Sequence, residues 1–504
     1  MLSPWLSSES DRTRIRFPRI CGRRGRRPRG RWLLAGRSGT RCDCSPNDQG
    51  GGRRGSTHDG PRTRPAGPGR GDGQHRRVGG TCLNRGCNPS KKLIERASVV
   101  ETIRGADAYG IEASIEEIPF ADIVAEVEEA ITEAAEAKGE RARRRENVTF
   151  YQTEGRFVDE RTVEVGAVDG PGGERLTADR VVVAGGSRPL VPPIDGADDV
   201  EFLTSDDALF LRERPDRLVI VGGGYIAAEM AHFFGQMGTE VVIVGHAERL
   251  VDREDADVAE RLTEAYRERH ELHLGFRATA IAEEGGEKRV TAESDGGETV
   301  EVAGDELLVA TGRVPNTDRW NVGAGGVETD DDGFVETDEH LRTSADGVWA
   351  IGDIAGNYMF KHSGDKEAEY VVENAVHGND RSVEYPGMAH AVFGSPQVAA
   401  LGATEGDLDG DYEVGTYGYD DTALGAAMHD RGGFAKVIAD ESGEILGVHV
   451  VGPNASTLIH EVSTAVAAGA DVETVAETIH VHPALSEVVQ GAFREVCDVA
   501  PSGF

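Results

Sequence analysis

A strand, a glycine-rich turn, a helix and a second strand follow one another in mid-chain, and no other stretch constrains the fold as much. Arg217–Val221 is an apolar run, Gly222 to Ala227 reads Gly-Gly-Gly-Tyr-Ile-Ala, and Glu240–Val244 is apolar again. Such a turn between strand and helix presents backbone N–H groups at a helix N-terminus, where a dinucleotide pyrophosphate binds. Three glycines in an ordinary tight turn are the alternative. The unit predicts an α/β fold with a doubly wound sheet.

The residue after the second strand bears on which nicotinamide nucleotide would bind. An acidic residue there would bind the ribose 2′-hydroxyl of NAD. Gly245 stands at that position instead, followed by His246 and with Arg249 nearby. The sequence therefore does not favour NAD over NADP. The candidate nucleotide-binding residues of this unit are Gly222, Gly224, Tyr225, Ile226, Ala227 and Gly245.

Two cysteines, Cys82 and Cys87, are separated by four residues beside a predicted helix start. In a regular helix such positions lie about 7.5 Å apart along the axis, whereas a disulfide needs Cα atoms about 5.5 Å apart. A bridge therefore requires a distorted turn, which Gly86 and Pro89 can supply. A slightly strained bridge with a low-pKa thiolate is typical of catalytic disulfides. A buried or zinc-bound pair is the alternative, although no second Cys or His pair lies nearby.

The stretch Gly79–Lys91 resembles the redox-active segment of the class I flavin-linked disulfide reductases. This family includes dihydrolipoyl dehydrogenase, glutathione reductase, mercuric reductase and mycothione reductase. The resemblance runs from about Val78 to Gln490, and Leu83 and Ser90 are closer to the dihydrolipoyl and mycothione members. Asn88 departs from the aliphatic residue usual there.

Further segments resemble the family's segments in the same order. The apolar run Arg180–Ala184 precedes a Gly-Gly-Ser-Arg-Pro turn, and Leu307–Pro315 resembles the segment that returns the chain to the flavin domain. In Val348–Gly356 the Gly-Asp pair is a common turn signal, yet the resemblance implies that Asp353 hydrogen-bonds the ribityl chain of the flavin. The remaining cofactor contacts that the resemblance implies are Gly80, Thr81, Lys91 paired with Glu229, Gly155, Gly186, Ser187, Gly312, Arg313 and Lys361.

A second reactive group is predicted near the C-terminus. Exchange between a dithiol and a disulfide needs a base with a pKa near about 6–7, and imidazole suits this task. His482 precedes Pro483, and Glu487 follows it by five residues. The arrangement resembles the family's His–Glu dyad, which implies that the pair reaches the cysteines of the other subunit. His480 lacks the proline and the offset, and we interpret it as a packing residue.

The resemblance also implies a mechanism and a domain order. Electrons would pass from nicotinamide to flavin and from flavin to Cys87, while Cys82 exchanges with the substrate. The predicted fold class is α/β, with FAD- and NAD(P)-binding doubly wound (Rossmann-like) domains and a C-terminal α+β dimerisation domain. The predicted boundaries are 1–77 for an aberrant segment, 78–200 and 309–384 for the FAD-binding domain, 201–308 for the NAD(P)-binding domain and 385–504 for the interface domain.

The formal net charge of −35 is divided unevenly along the chain. Residues 1–77 contain 19 arginines, no lysine and six acidic residues, so residues 78–504 carry 35 basic and 83 acidic residues. A body this acidic indicates adaptation to high salt, where repulsion between carboxylates is screened. Steering of a cationic partner is the alternative, but it would need local clustering, and Asp and Glu are spread over the whole body.

Residues 1–77 lack the pattern of a folded domain, because Arg, Gly and Pro dominate and hydrophobic periodicity is missing. Members of the resembled family begin with a strand, a Gly-x-Gly-x-x-Gly turn and a helix that hold the ADP half of FAD. No apolar strand of this kind is recognised before Val78, so we expect a disordered segment, poor FAD binding and an unstable polypeptide. A frameshift or wrong start is the favoured explanation, and a genuine Arg-rich tail and a transit peptide are the alternatives.

The leading functional hypothesis is an FAD-dependent dihydrolipoyl dehydrogenase-like homodimer. Its substrate would be a small thiol or disulfide, with the lipoyl domain of a 2-oxoacid dehydrogenase complex as one candidate partner. The alternatives are a mycothione reductase-like enzyme that uses NADPH and an inactive dimeric remnant with an Arg-rich nucleic-acid-binding arm. No apolar run approaches about 18 residues and no signal peptide is recognised. We therefore expect a cytoplasmic protein without membrane, nucleic-acid or metal partners.

Overall fold

The computed structural model of the protein describes residues 32–36, 40–42, 77–166, 173–429 and 432–500. Within these ranges, strands and helices form three successive units. Each unit is built around its own main sheet, and smaller sheets flank the first two. No helix in the described ranges has the length and apolar character needed to cross a membrane.

The first unit contains a four-stranded sheet in the order β16–β6–β1–β2. Strand β6 lies between β1 and β16 and is parallel to both. Its valines are buried because both faces of the strand are covered. The strands of this sheet are β1 (Trp32–Gly36), β2 (Thr40–Cys42), β6 (Arg180–Ala184) and β16 (Val348–Ala350).

Strand β1 corrects the prediction that no apolar strand precedes Val78. Leu33 of β1 is buried and lies opposite Val181 of β6 in a parallel register. Five residues suffice for such a strand, and the arginine-rich composition around them concealed it. Strand β2 follows after three residues and runs antiparallel to β1, so a hairpin and not a helix follows the strand. Residues 1–31, 37–39 and 43–76, on which the prediction of disorder also falls, lie outside the described residues.

The apolar spacing of residues 113–144 predicts an amphipathic helix. Helix α3 begins instead at Phe120, directly after Pro119. Proline disfavours helical geometry in the residue before it, so the chain leading to it stays extended. The other elements of the unit are α1 (Gly80–Arg85), α2 (Cys87–Arg104), α3 (Phe120–Arg143), β3 (Gly155–Asp159), β4 (Thr162–Val165), β5 (Glu174–Thr177) and β7 (Ser187–Pro189).

The second unit contains the predicted strand–turn–helix–strand. Its sheet is parallel, in the order β10–β9–β8–β14. Helix α5 begins directly after Gly224 and is almost wholly buried. The elements are α4 (Ser205–Ala208), β8 (Arg217–Val221), α5 (Tyr225–Gln236), β9 (Glu240–Gly245), α6 (Ala256–Arg267), β10 (Glu271–Leu274), β11 (Phe276–Glu284), β12 (Glu287–Ser294), β13 (Thr299–Gly304) and β14 (Glu306–Val309).

After β14 the chain returns to the first unit. Strand β15 pairs antiparallel with β7, and β16 joins the first sheet. The elements here are β15 (Arg313–Pro315), α7 (Thr317–Trp320), α8 (Lys361–Val371) and the π-helical turn Val372–Val376, with 3₁₀ turns at Val322–Gly325 and Gly352–Ile354.

One hydrophobic core joins the first two units. Leu93 and Ala97 of α2 pack in the same cluster as Met230 and Phe233 of α5. The helix that begins at Cys87 therefore lies directly against the helix that follows the glycine turn.

The third unit is a five-stranded antiparallel sheet in the order β17–β18–β21–β20–β19. Helices α10 and α12 pack on it through apolar side chains such as Val462 and Phe493. The elements are β17 (Ala389–Val392), β18 (Val398–Gly402), β19 (Glu413–Gly418), α9 (Ala423–Ala427), β20 (Phe434–Ala439), β21 (Ile445–Val451), α10 (Ala455–Ala467), α11 (Val472–Glu477) and α12 (Ser486–Val496).

Candidate functional site

The two cysteines flank a break between α1 and α2. Cys82 lies within α1, Cys87 is the first residue of α2, and Gly86 lies between the helices. A Cβ atom on Gly86 would lie 2.9 Å from the carbonyl oxygen of Thr81 and 3.2 Å from the Cα of Cys82. Only glycine fits so close to neighbouring backbone. The distorted turn predicted from the thiol spacing is therefore present, and both cysteines are free thiols.

The two thiols are electrostatically unequal. A hydrogen bond from the Cys82 thiol lowers the pKa of Cys87 to about 6, with desolvation opposing this shift and Lys91 assisting it. The same hydrogen bond raises the pKa of Cys82, and burial adds to the rise. At neutral pH Cys87 is therefore a thiolate and Cys82 a protonated thiol. A thiolate is the nucleophilic form of cysteine, so this pair is poised for exchange chemistry.

A lysine–glutamate pair lies beside Cys87. The Nζ atom of Lys91 is 2.6 Å from both carboxylate oxygens of Glu229, which belongs to α5. The backbone N–H of Phe393 donates to the same carboxylate at 3.2 Å, and Lys91 Nζ lies 4.6 Å from the centre of the Phe393 ring. The pairing of Lys91 with Glu229 expected from the resemblance is thus observed. It places a positive charge where it favours the Cys87 thiolate.

Lys361 brings the start of α8 to the thiols. Its ion pair with Asp365 raises the pKa of Lys361, desolvation opposes the rise, and Cys82 and Cys87 both add to it. The ring of Phe360, the preceding residue, stacks on Tyr225 with 6.4 Å between ring centres. The start of α8 therefore lies between the thiol pair and the glycine turn of the second unit.

Three predicted residues meet where β7, β15 and the turn after β16 converge. The Ser187 hydroxyl donates a hydrogen bond to the carboxylate of Asp353. Arg313 Nε donates to the Ser187 hydroxyl at 2.7 Å and lies 4.0 Å from the Asp353 carboxylate. The arrangement fixes the direction of the Asp353 side chain, and its donors and acceptors suit a polyhydroxyl chain such as the ribityl of a flavin.

The sequence analysis missed the carboxylate that holds this turn. Glu367 is only 1% exposed and accepts hydrogen bonds from the Gly352 N–H at 2.6 Å, the Tyr385 hydroxyl at 2.7 Å and the Asn357 amide at 3.3 Å. Gly352 immediately precedes Asp353, so Glu367 positions that residue through the backbone. The sequence contained a signal for the burial of Glu367, because this residue has helical spacing with Ser363, Tyr370 and Val371, which are buried on the same face of α8.

The glycine turn has the geometry that a nucleotide phosphate needs. Gly222 has φ of 129°, and a Cβ there would lie 2.2 Å from the Ala310 carbonyl oxygen. Gly224 has nothing within 4 Å of the corresponding position, so the start of α5 is open to a ligand. Gly245 lies beside the turn, with its Cβ position 3.7 Å from the Cα of Gly223. The residue that would meet the nucleotide ribose is therefore a glycine that offers no carboxylate.

The histidine–glutamate pair lies in the third unit, at the start of α12. His482 Nδ1 and Glu487 Oε1 are 2.9 Å apart, and the Ala484 N–H donates to the other Glu487 oxygen at 2.9 Å. Burial raises the pKa of Glu487, but the Ala484 and His482 hydrogen bonds outweigh it and leave this pKa below its usual range. The carboxylate is therefore ionised at neutral pH and able to orient and stabilise an imidazolium.

The surface around His482 is unusually apolar. The His482 side chain is 59% exposed, and the nearby Ile479 and Val481 are 96% and 74% exposed. His480 instead contacts Glu461 at 3.3 Å and the Thr478 carbonyl at 2.9 Å, in keeping with the packing role predicted for it. Exposed aliphatic side chains beside a polar dyad are typical of a surface that a second subunit covers.

All but one of the remaining predicted residues lie beside the elements already described. Gly80 and Thr81 lie in α1 next to Cys82, and Ile226 and Ala227 lie in the first turn of α5. Gly155 lies apart in β3, where a Cβ would meet Val163 and Trp320, so packing alone explains this glycine. Positive φ angles are shared by Gly186 and Gly312 beside the cluster at β7 and β15.

The described residues fit part of a flavin. The thiol turn, the Lys91–Glu229 pair and the Asp353 cluster offer the charges and hydrogen bonds that suit an isoalloxazine ring and its ribityl chain. A pyrophosphate needs the N-terminus of a helix directly after the first strand. In the described residues β1 is followed by the hairpin to β2, so this part of the fold does not supply that cradle.

Two family sequence models match the chain over most of its length. The model described as "Pyridine nucleotide-disulphide oxidoreductase" matches residues 72–376. The model described as "Pyridine nucleotide-disulphide oxidoreductase, dimerisation domain" matches residues 388–493. The first match covers the second unit and all of the first unit except β1 and β2, and the second match covers most of the third unit.

Two of the relatives of this chain have different named activities. A mycothione reductase of Mycobacterium tuberculosis is 37% identical over 424 residues, which is 82% of this chain and 91% of that protein. A dihydrolipoyl dehydrogenase of Halobacterium salinarum is 34% identical over 423 residues, which is 82% of this chain and 88% of the relative. Among solved structures, LpdA from Mycobacterium tuberculosis matches with a TM-score of 0.73 and 26% identity, over 83% of this chain and 91% of the other.

Proposed function

Because the chain belongs to the pyridine nucleotide-disulphide oxidoreductase family, whose members use FAD and NAD(P)H, we propose that it passes electrons between a nicotinamide nucleotide and a small dithiol or disulfide. The resemblance and the fold class predicted from the sequence are confirmed by this membership. The observation that carries the proposal is the pair of free thiols on either side of the Gly86 break, where Cys82 and Lys91 lower the pKa of Cys87 and Lys91 is paired with Glu229.

The thiols would act in sequence on a disulfide substrate. The Cys82 thiol passes its proton to the imidazole of His482 as its sulfur attacks one substrate sulfur. The substrate S–S bond breaks, and the imidazolium returns the proton to the leaving sulfur, which departs as a thiol. The Cys87 thiolate then attacks the Cys82 sulfur, which releases the second substrate sulfur as a thiolate and closes the Cys82–Cys87 bridge. FAD and NAD(P)H, when bound, supply the two electrons that return the bridge to the dithiol. Oxidation of a dithiol substrate follows the same steps in reverse.

His482 is proposed to move the substrate proton. Glu487 engages Nδ1 and stabilises the imidazolium, so we assign proton transfer to Nε2. The dimerisation domain supports a homodimer. The exposed His482 and its apolar surroundings favour action across that dimer, with the partner subunit's His482 serving the thiols of the first subunit.

Two substrate assignments follow from the relatives, and they predict different cofactors. The first is dihydrolipoyl dehydrogenase activity, with free dihydrolipoamide or a lipoyl domain as the dithiol and NAD as the acceptor. The second is mycothione reductase-like reduction of a low-molecular-weight disulfide with NADPH. Gly245 favours the second, because NAD specificity normally uses a carboxylate after this strand.

The test is turnover of the full chain, purified in molar salt, with each pair of reactants. Dihydrolipoamide with NAD and a low-molecular-weight disulfide with NADPH are compared at equal enzyme concentration, and bound flavin is quantified from its visible absorbance. Turnover of either pair that disappears on alkylation of the thiols supports the proposed class. A protein with flavin but without thiol-dependent turnover contradicts it. Absence of both flavin and turnover would favour the inactive dimeric remnant.

The dyad has its own test. We expect His482→Gln to lower the thiol-dependent rate at least about 10²-fold, the usual contribution of a general base. Mixing His482→Gln subunits with Cys82→Ser subunits should restore activity, because each heterodimer then contains one intact site. Mixtures that stay as inactive as the parent variants would show that the dyad does not act across the dimer.

A further inference from the structure

A second ion pair holds the thiol turn, and it is more deeply buried than the first. Arg85 is the last residue of α1 and lies between the two cysteines in the sequence. Its Nε atom is 2.8 Å from a carboxylate oxygen of Asp206, and the two side chains are only 5% and 11% exposed. Burial lowers the pKa of Arg85 and Asp206 opposes this shift. An arginine so far from water is tolerated only with a close anionic partner.

The carboxylate of this pair stands on a rigid part of the second unit. Asp206 lies in the first turn of α4, which begins with reciprocal hydrogen bonds between Thr204 and Asp207. Just before it, Leu203 exchanges backbone hydrogen bonds with β14, at 2.7 Å to the Leu307 carbonyl and 2.8 Å from the Val309 N–H. Asp206 is therefore anchored to the sheet edge of the second unit.

The two ion pairs bracket the thiols. Lys91–Glu229 joins the N-terminal part of α2 to α5, and Arg85–Asp206 joins the last residue of α1 to α4. Between the two anchor points lies the Gly86 break, which brings the Thr81 carbonyl and the Cys82 backbone close to the start of α2. The relative position of Cys82 and Cys87 depends on how α1 meets α2. Each helix is held at that junction by one of the two ion pairs.

We propose that Arg85 and Asp206 form a positioning pair, which holds α1 against the second unit so that the Cys82 and Cys87 sulfurs face each other in both the dithiol and the bridged state. Stability alone does not explain the pair, because replacing a buried ion pair by apolar residues is often neutral or favourable for folding. This inference rests on the proposed Cys82–Cys87 exchange, since a pair that never closes a bridge needs no such alignment.

The test replaces both charges together, so that neither is left buried alone. In full-length Arg85→Met/Asp206→Leu, the pH dependence of Cys87 alkylation by iodoacetamide is followed by mass spectrometry. The bridge equilibrium is measured in buffers of reduced and oxidised dithiothreitol. We expect the alkylation midpoint to rise by at least about one pH unit towards the ordinary cysteine value of about 8.5. Bridge formation should fall at least about tenfold, with thermal unfolding close to that of the wild type.

Two further variants complete the experiment. Asp206→Asn keeps the size of the side chain but removes its charge, and it should shift the midpoint by about half as much. This variant decides the question if the double variant does not fold. Arg96→Met breaks the partly exposed pair between Arg96 of α2 and Glu126 of α3, where the two charges are 3.0 Å apart, and should change neither measurement.

The outcomes separate this inference from the proposed function. A wild-type protein that forms no Cys82–Cys87 bridge in oxidised dithiothreitol contradicts the proposed function itself. A wild-type protein that forms the bridge, together with folded variants whose midpoint and bridge equilibrium are unchanged, overturns only the positioning role.

Discussion

Two lysines of this protein are held by carboxylates in very different surroundings. Lys91 contacts one glutamate, 34% of its side chain is exposed, and the thiolate of Cys87 is its neighbour. Lys436 of β20 is only 2% exposed and contacts three carboxylates, with 2.8 Å to Asp255 and 2.6 Å to Asp257. The third carboxylate belongs to Glu405.

The Lys436 cluster joins two units. Asp255 caps the N-terminus of α6 in the second unit, whereas Lys436 belongs to the sheet of the third. The three carboxylates lie close enough together to hold a cation, and the ammonium group of Lys436 already serves as that cation. No cysteine takes part in the cluster, so its charges act on one another.

The comparison shows that the groups around a lysine–carboxylate pair determine whether the pair affects chemistry or stability. A lysine beside a thiol and open to solvent changes the protonation of a reactive group. A lysine sealed among carboxylates fixes how two units meet. Substitutions at the two regions should therefore separate chemistry from stability, and the predictions follow in order of decreasing effect.

The largest effect is expected at the thiols. Cys82→Ser and Cys87→Ser should each abolish disulfide turnover, because a hydroxyl can neither form the bridge nor exchange with a substrate disulfide. Thermal unfolding should remain near that of the wild type, since the change is one atom at a partly open site. Turnover with a dithiol or disulfide substrate and a melting curve measure the two quantities. Near-normal turnover in both variants would contradict the assignment of Cys82 and Cys87 as the redox-active pair.

The next effect is expected at the closed cluster. Lys436→Met leaves three carboxylates without their cation, and loss of one partner from a buried ion pair costs about 3–5 kcal/mol. Urea unfolding measures this loss, while the alkylation midpoint of Cys87 should not move. Lys366→Met is the matched control, because its exposed pair with Glu369 contributes at most about 1 kcal/mol. Equal losses in both variants would contradict the comparison.

The pH dependence of the cluster has a definite sign. Burial raises the pKa of Asp255, but its hydrogen bond and charge interaction with Lys436 outweigh burial and leave the pKa below its usual range. A carboxyl whose pKa is lower in the folded state stabilises the fold above its ordinary pKa of about 3.9. That contribution is lost as the pH falls through the folded value. Wild-type protein should therefore lose stability in acid more steeply than Lys436→Met.

A smaller effect is expected at Lys91. Without its positive charge the Cys87 thiolate is less favoured, so Lys91→Met should raise the alkylation midpoint of Cys87 by about one pH unit. The loss of unfolding free energy should be smaller than for Lys436→Met, because 34% of the Lys91 side chain is already exposed. Alkylation rates across pH and urea unfolding give the two values. An unchanged midpoint would assign the low pKa to the Cys82 hydrogen bond alone.

A change of salt concentration should affect the Lys91 and Lys436 pairs least. Its main effect should be on the exposed charges of the remaining surface. At about 10 mM ionic strength the Debye length reaches about 30 Å, so the acidic body should repel itself and lose stability. We expect folding and activity to require molar salt. Full stability at low salt would exclude salt adaptation.

Features that depend on local pattern were predictable from the sequence. Strand β8, the glycine turn and strand β9 are recognisable because a buried parallel strand reads as an apolar run and the turn requires glycine. The thiol turn was predictable for a similar reason, since Gly86 lies where the spacing demands a break.

Features that depend on distant partners were not predictable. Strand β1 is only five residues long, and its ladder with β6 involves residues far along the chain. Arg85 looks like an ordinary surface arginine until Asp206 is seen beside it. In each case a partner far along the chain, β6 or Asp206, determines whether the residue is buried. The periodicity of neighbouring residues carries no information about such a partner.

The hairpin formed by β1 and β2 has a consequence for how cells would handle this polypeptide. Quality-control systems recognise exposed apolar surface and unpaired strand edges, which mark incompletely folded subunits. Here β1 fills its place in the sheet, and in the described residues the hairpin to β2 follows it instead of a phosphate-binding helix. A subunit without flavin would therefore present few of the features that lead to degradation. We expect the three described units of such subunits to resist limited proteolysis and to persist as cofactor-poor protein.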